Sequence, residues 1–260
     1  MTITFRQPAA GWADPALDGL AGQIATEVIG TVKQAAATAP RSLQAAIGPS
    51  EVGIPCARRL AYRLLDWPEV NADTDPWASI IGTAVHAWMA ETYEAENRRL
   101  GRERYLIERT LQITPSLVGH SDLFDRDLGC VMDWKVVGLD RLKEYRRKGP
   151  GEQYRTQAHI YGLGQQLAGE RVEHVAVVFL PRGGRIDGLH VWTEPYDSAV
   201  AVEAIRRLAT IRDLVHTIDP EANPNTWALL PTADAYCAFC PYYLPGCTDL
   251  SAGCPGHTIR

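Results

Sequence analysis

The stretch GHSDLFDRDLGCVMDWKVV, residues 119–137, constrains the fold more than any other part of the chain. Two apolar runs, 117–125 and 130–137, flank the turn Arg126-Asp127-Leu128-Gly129, which predicts a hairpin. Side chains alternate across a strand, so Asp133 and Lys135 project to one face of the second hairpin strand, and Asp122 lies in the first. A carboxylate beside a lysine in an apolar strand needs a reason. Two carboxylates on adjacent strands can share a hard divalent cation such as Mg²⁺ or Mn²⁺, which takes oxygen ligands and keeps waters. Such a cation acidifies bound water and offsets phosphate charge, and a nearby lysine can orient that water and stabilise developing negative charge. Asp-x-Lys by itself is common, and an ordinary surface ion pair would read the same way.

The rest of the chain supplies elements around this hairpin. Residues 1–12 read as an irregular arm, and the Ala-rich stretch 14–37 as a helix ended by Ala39-Pro40. Ser50 is a suitable N-cap for a helix over the apolar positions Ala57, Leu60, Ala61, Leu64 and Leu65, unless Pro55 delays its start. Residues 71–76 are turn-like, and 77–100 read as a second helix. Strands are expected at 105–113, 172–180 and 188–193, and helices at 152–168 and 198–215. Between them runs the basic segment DRLKEYRRK, closed by Gly149-Pro150-Gly151. From Pro220 the chain is rich in Pro and Cys with little periodicity. One α/β domain with helical flanks and a metal-held tail is the simplest architecture.

In order, Gly119-His120-Ser121-Asp122, Asp133-Trp134-Lys135 and, on a following helix, Gln157-Ala158-His159-Ile160-Tyr161 resemble the RecB-type branch of the PD-(D/E)XK nucleases. That branch includes the CRISPR-associated RecB-like exonucleases and phage relatives. Upstream, Gly82 and His86 match the family's G-x-x-x-H element. The resemblance covers residues 42–250. It implies a restriction-endonuclease-like α/β core, with a mixed central sheet flanked by helices, over 42–260, preceded by an arm and helix at 1–41. It also implies that His86, Asp122, Asp133 and the Trp134 carbonyl bind Mg²⁺ or Mn²⁺. Lys135, Asp122, Asp133, Gln157 and Tyr161 would then serve catalysis. Gln157 and Tyr161, four apart, share a helix face, which in the family abuts the active site and the DNA. Glu91 is within sequence reach of the His86 site. His120, beside Asp122, is not assigned to the metal, and Asp125 and Asp127 read as turn residues.

Six cysteines occur, at 56, 130, 237, 240, 247 and 254. With a C-x2-C pair and no secretory signal, metal ligation is a better reading than disulfides. Spacing alone favours a local zinc held by Cys237, Cys240, Cys247 and Cys254. The resemblance instead implies a four-iron four-sulfur cluster on Cys56, Cys237, Cys240 and Cys247, clamping the two ends of a domain whose tail is short of apolar residues. Cys254 is spare on that reading. Cys130 reads as a small buried hydrophobe.

The net charge of −5 does not announce nucleic acid, since proteins that coat DNA are usually basic, but an enzyme needs positive potential only along its groove. Arg58, Arg59, Arg63, Arg141, Lys143, Arg146, Arg147, Lys148 and Arg155 cluster near the proposed sites and could touch phosphates. Tyr145, Tyr154 and Trp88 could stack on bases or pack in the core. No apolar run approaches the roughly 18 residues of a membrane span, so the default location is the cytoplasm. The resemblance implies a DNA exonuclease acting on single strands or duplex ends, in phage or bacterial recombination or repair alongside recombination proteins. A non-catalytic nucleic-acid-binding protein of nuclease-like fold and a zinc-binding interaction module are the alternatives.

Overall fold

The structure is a computed structural model and describes residues 19–38, 47–71 and 75–257. The expected arm at 1–12, the first helix's start at 14–18, its Ala39-Pro40 end and the middle of the 71–76 turn lie outside these residues. Helix α1 (Leu20–Ala37) forms as its alanines suggest, buries no side chain, and exposes Leu20, Ile24 and Val28 at helical spacing.

The second unit runs from Ala45, apart from 74–76. Its first helical stretch is divided. Helix α2 (Pro49–Val52) is capped by Gly48 and not by Ser50, which lies inside the first turn. Pro49 suits the first helical position because its fixed φ is already helical and its missing N–H would go unused there. The Glu51 carboxylate accepts from the Gly48 amide at 3.2 Å. The chain then breaks at Gly53-Ile54-Pro55 and restarts as α3 (Ala57–Leu64), with Cys56 extended at its N-cap. Helix α4 (Trp77–Leu100) follows.

Five strands form one sheet in the order β1-β2-β3-β4-β5. They are β1 (Tyr105–Thr114), β2 (Leu117–Asp125), β3 (Cys130–Val137), β4 (His174–Pro181) and β5 (His190–Pro195). All neighbours are antiparallel except β3 and β4, which are parallel. A parallel pair needs a long crossover. Helices α5 (Leu139–Lys148) and α6 (Gly151–Leu167) supply it, so the basic segment is a helix, with Arg146, Arg147 and Lys148 in the last turn where the helix dipole favours cations. Strand β4 is buried along its length, as a central strand covered on both faces must be. Helix α7 (Ser198–Ile218), capped by the Asp197 carboxylate on the Ala199 amide, packs on α6 and α3.

Two cores cover the sheet's faces. On one, Ile160 and Tyr161 of α6 meet Val131, Val137, Val177 and Phe179. On the other, Val85, Met89 and Tyr93 of α4 meet Leu123, Trp134, Val178 and Leu180. A third core joins α3 and α7 to the tail. Tyr62 stacks on Trp227 at 4.2 Å and lies 4.9 Å from Tyr242. The expectation that the tail lacks apolar residues for docking is therefore corrected: it buries Trp227, Leu230 and Tyr242 almost completely. Among the described residues, no helix is long and apolar enough to cross a membrane.

The glycines of the two sequence motifs differ in what they permit. A Cβ on Gly119 would fall 2.5 Å from Pro49 Cγ and 2.9 Å from Tyr161 Cε1, so α2 and α6 approach β2 only because that side chain is missing. A Cβ on Gly82, in α4, would meet nothing within 4 Å. Gly119→Ala is expected to destabilise by about 1–3 kcal/mol, the usual cost of overpacking. Gly82→Ala should hold stability or raise it by up to about 1 kcal/mol through helix propensity. Urea unfolding of the two variants checks the contrast.

Candidate functional site

The site forms where β2 and β3 part. Their ladder runs from Asp125 opposite Cys130 to Leu123 opposite Met132 and stops there. One further step would place Asp122 opposite Asp133. Side chains replace the missing ladder bonds at that step. The Trp134 amide donates to Asp122 Oδ2 at 2.7 Å. The Trp134 carbonyl meets His86 Nε2 of α4 at 3.1 Å. The other nitrogen, His86 Nδ1, lies 3.2 Å from Asp122 Oδ1. Trp134's ring packs toward α4, 5.8 Å from Tyr93, so it faces away from Asp133 as alternation requires.

On the other face of β3, Lys135 Nζ lies 2.5 Å from Asp133 Oδ2 and 5.0 Å from the Tyr154 ring centre. Gln157 Nε2 donates to Asp133 Oδ1 at 2.9 Å, and Tyr161 Oη is 3.5 Å from the same nitrogen. Asp133, Gln157 and Tyr161 are buried. Despite the close ion pair, Asp133 Oδ2 has no hydrogen bond of good geometry, and neither has the buried Gln157 Oε1. The sequence-predicted residues His86, Asp122, Asp133, Trp134, Lys135, Gln157 and Tyr161 thus come together at one end of the β2–β3 hairpin.

Glu91 does not join them, and a residue absent from the sequence reading does. Ligand atoms of His86, Glu108 and Asp122 all lie within 4.8 Å of one another. Glu108 sits in β1 with φ at +46°, between Ile107 and Arg109, which pair normally with Leu123 and Ser121 of β2. A positive φ at a non-glycine residue costs on the order of 1–3 kcal/mol and recurs at functional sites. The only sequence signal was a glutamate in the strand paired with the G-x-x-D strand, and nothing local foretold its backbone.

The protonation states are those of a crowded acidic site. Burial raises the Asp133 carboxyl above the usual carboxylate range, the Asp122 charge adds to this, and Lys135 opposes it. Burial would lower the His86 pKa, but its hydrogen bond and charge interaction with Asp122 outweigh that and hold it above the ordinary imidazole value. The carboxylates of Asp122, Glu108 and nearby Asp133 and the His86 imidazole make a donor set that fits a hard divalent cation. The same cation would displace protons from these groups on binding.

Several expected phosphate contacts have other work. Arg58 donates to the Trp227 and Leu230 carbonyls, Arg59 to the Ala235 carbonyl, Arg63 pairs with Glu51, and Arg155 with Glu194. Tyr145 stacks on Phe179 at 4.3 Å and Tyr154 packs on the same core, so both are structural. Asp125 is not merely a turn residue: it is buried and bound twice by Arg104, at 2.9 and 2.7 Å. Arg141, Lys148 and Arg182 line a groove along α5 that also takes in Tyr154 and the tail's Tyr236 and Phe239.

The cysteines sort differently from expectation. Cys56, Cys237, Cys240 and Cys254 line one cavity. Cys247, expected as a ligand, does not line it; its Sγ lies 3.0 Å from the Asp249 carbonyl. Cys130 is buried in β3, and burial pushes its thiol up to about 11, which makes it an inert hydrophobe.

No protein-family model matches the chain, and no curated protein matches it in sequence. Among solved structures, it is similar to an alkaline exonuclease, LHK-Exo, from Laribacter hongkongensis, at 14% identity over 71% of this chain and 95% of that one, with a TM-score of 0.47. It is also similar to SSO0001, at 14% identity over 72% of this chain and 86% of that one, with a TM-score of 0.36. At these TM-scores neither likeness bears on the function argued below.

Glu108→Gly should separate ligation from folding. Gly accepts a positive φ at no steric cost, so the variant is expected to keep or raise its melting temperature. Its Mn²⁺ affinity, read by calorimetry, should fall at least several-fold. Unchanged Mn²⁺ affinity would remove Glu108 from the site.

Proposed function

We propose that this chain is a divalent-metal-dependent DNA exonuclease of the PD-(D/E)XK class. The observation that carries the reading is the splayed end of β2 and β3, where Asp122, Asp133 and Lys135 converge under His86 and Gln157. A carboxylate buried beside a second carboxylate costs stability, and such a cost at the mouth of a hairpin is typical of a site built for a ligand. The residues that would hold Mg²⁺ or Mn²⁺ are Asp122, Asp133, His86 and Glu108. The bound cation would supply an acidified water and an electrophilic partner for the scissile phosphate.

The chain's own groups do the rest. Lys135 is held by Asp133 and the Tyr154 ring with its ammonium at the site, where it can orient the attacking water and stabilise the negative charge that develops on the oxygens of the pentacoordinate phosphorus. Gln157 fixes Asp133 by donating to Oδ1, and Lys135 pairs with Oδ2. Asp122 and His86 hold the Trp134 backbone, so the strand carrying Asp133 and Lys135 cannot slide. The groove that Arg141, Lys148 and Arg182 line would offer cationic groups to the phosphates of a single strand or a duplex end.

For the cysteine cavity we favour an iron–sulfur cluster. The donor set fits, with thiols converging beside cationic Arg58 and Arg59 and the His257 amide 3.3 Å from Cys237 Sγ. One zinc ion would draw its four sulfurs to roughly 3.8 Å of one another. No trio of the cysteine sulfurs meets even a 4.8 Å limit among the described residues. A cluster binds each thiolate to a different iron and so holds them further apart.

End-labelled single- and double-stranded DNA with Mg²⁺ or Mn²⁺ tests the reading. Wild type should release nucleotides from an end. Lys135→Ala should lose about 10²–10³-fold in rate, and Asp133→Ala should be inactive while remaining folded. Metal-independent cleavage, or wild-type rates in both variants, would sink the assignment. Binding of DNA without cleavage would favour the non-catalytic alternative.

A further inference from the structure

The cavity that Cys56, Cys237, Cys240 and Cys254 line is assembled from both ends of the described unit. Cys56 stands at the N-cap of α3, and the loop before it is pinned by Arg207, which donates to the Ile54 carbonyl at 2.9 Å and the Pro55 carbonyl at 2.7 Å. Cys237 and Cys240 bracket a single turn of 3-10 helix, with the Cys240 amide donating to the Cys237 carbonyl at 2.9 Å. Cys254 comes from the chain's return. The segment after Cys240 turns on Asp249, which accepts from the Ser251 amide and hydroxyl, and then runs back beside residues 242–244. There the Cys254 amide donates to the Tyr242 carbonyl at 2.7 Å and the Leu244 amide to the Cys254 carbonyl at 2.8 Å. Gly253 permits this approach, since a Cβ there would fall 2.7 Å from Leu244 Cβ.

We propose that Cys254, and not Cys247, completes the thiolate set with Cys56, Cys237 and Cys240 that holds a metal centre. The choice of an iron–sulfur cluster as that centre rests on the reading given under the proposed function, but the ligand set does not. Cys254 is buried against Cys56 and Cys240 in one core, and the Arg58 guanidinium lies 3.7 Å from its sulfur, placed to offset a thiolate's charge. The Arg58 side chain is itself fixed by the Trp227 and Leu230 carbonyls at 3.2 Å each. Cys247 has none of this. It is half-exposed, outside the residues that line the cavity, and its sulfur donates to the Asp249 carbonyl at 3.0 Å.

The test uses the full chain purified without oxygen, as wild type, Cys247→Ser and Cys254→Ser. Iron, zinc and acid-labile sulfide are measured together with visible absorption. Wild type is expected to carry about four irons with matching sulfide. Cys247→Ser should retain that content, and Cys254→Ser should lose most of it. A second measurement needs no variant: native wild type is treated with an alkylating reagent and the modified cysteines are read by mass spectrometry. Cys247 should react at once, and Cys254 only after the metal has been stripped. Loss of metal in Cys247→Ser with retention in Cys254→Ser, or rapid alkylation of Cys254 with protection of Cys247, overturns the proposal, as does a wild type with no metal. One zinc per chain, lost in Cys254→Ser and kept in Cys247→Ser, supports the ligand set and overturns the cluster reading alone.

Discussion

The backbone of Trp134 is held on its β2 side by two side chains where a neighbouring strand would ordinarily hold it. Asp122 takes the amide and His86 meets the carbonyl. A buried amide or carbonyl left unpaired costs about 1–3 kcal/mol, so these two contacts are what allow β2 and β3 to separate without penalty. The separation in turn opens the space into which Asp133, Lys135 and Gln157 project. It also fixes α4, because His86 has to reach the strand edge from above while Val85 and Met89 pack beside it. On the far side, β3 is secured by an unbroken parallel ladder with β4 from Cys130 to Val137. The hairpin is thus rigid on one side and open on the other, which suits a site that must present charged groups at fixed spacing.

Stability and chemistry pull against each other at that opening. Asp133 is a buried carboxylate close to a second one, and Glu108 holds a backbone conformation its side chain does not favour. The scaffold offsets these costs with apolar packing on both faces of the sheet and with salt bridges such as Arg104 to Asp125, set well away from the opening. The tail has a separate source of order in Tyr62, Trp227 and Tyr242, whose rings pack within 5 Å of one another's centres along the chain of contacts from Trp227 to Tyr242.

The sheet and its acidic residues were legible because they obey short-range rules. Alternation placed Asp133 and Lys135 on one face, and an i, i+4 spacing placed Gln157 and Tyr161 together; both relations survive any tertiary context. Helix α5 was harder to read. Its charged residues mask a period carried by few apolar positions, of which only Leu142 is buried. Glu108 was invisible because its inclusion depends on a single backbone angle. That Cys254 lines the cavity with Cys56, Cys237 and Cys240 was not legible, because spacing along the chain says little once a loop comes round on itself. The Asp249 turn and the Gly253 contact that fold it are tertiary facts. The roles of Arg58 and Arg155 were missed for the same reason: a basic side chain in sequence gives no hint that a carbonyl or Glu194 awaits it.

Helix α3 has a consequence for the order of events during synthesis. Tyr62 donates to the Leu250 carbonyl, the Trp67 indole to the Ser251 carbonyl at 2.9 Å, and Arg58 reaches Leu230. All of these partners follow the residues they hold by more than 170 positions and so leave the ribosome well after them. The strands from Tyr105 to Pro195 are complete long before then, so the carboxylate site can take shape while α3 still lacks the surface it packs on. For that interval Tyr62, fully buried in the finished protein, is an exposed aromatic on a short helix. The early-made segment must wait, unprotected, for its later-made cover, and the stretch that carries Leu230, Leu250 and Ser251 acts as the latch that ends its exposure.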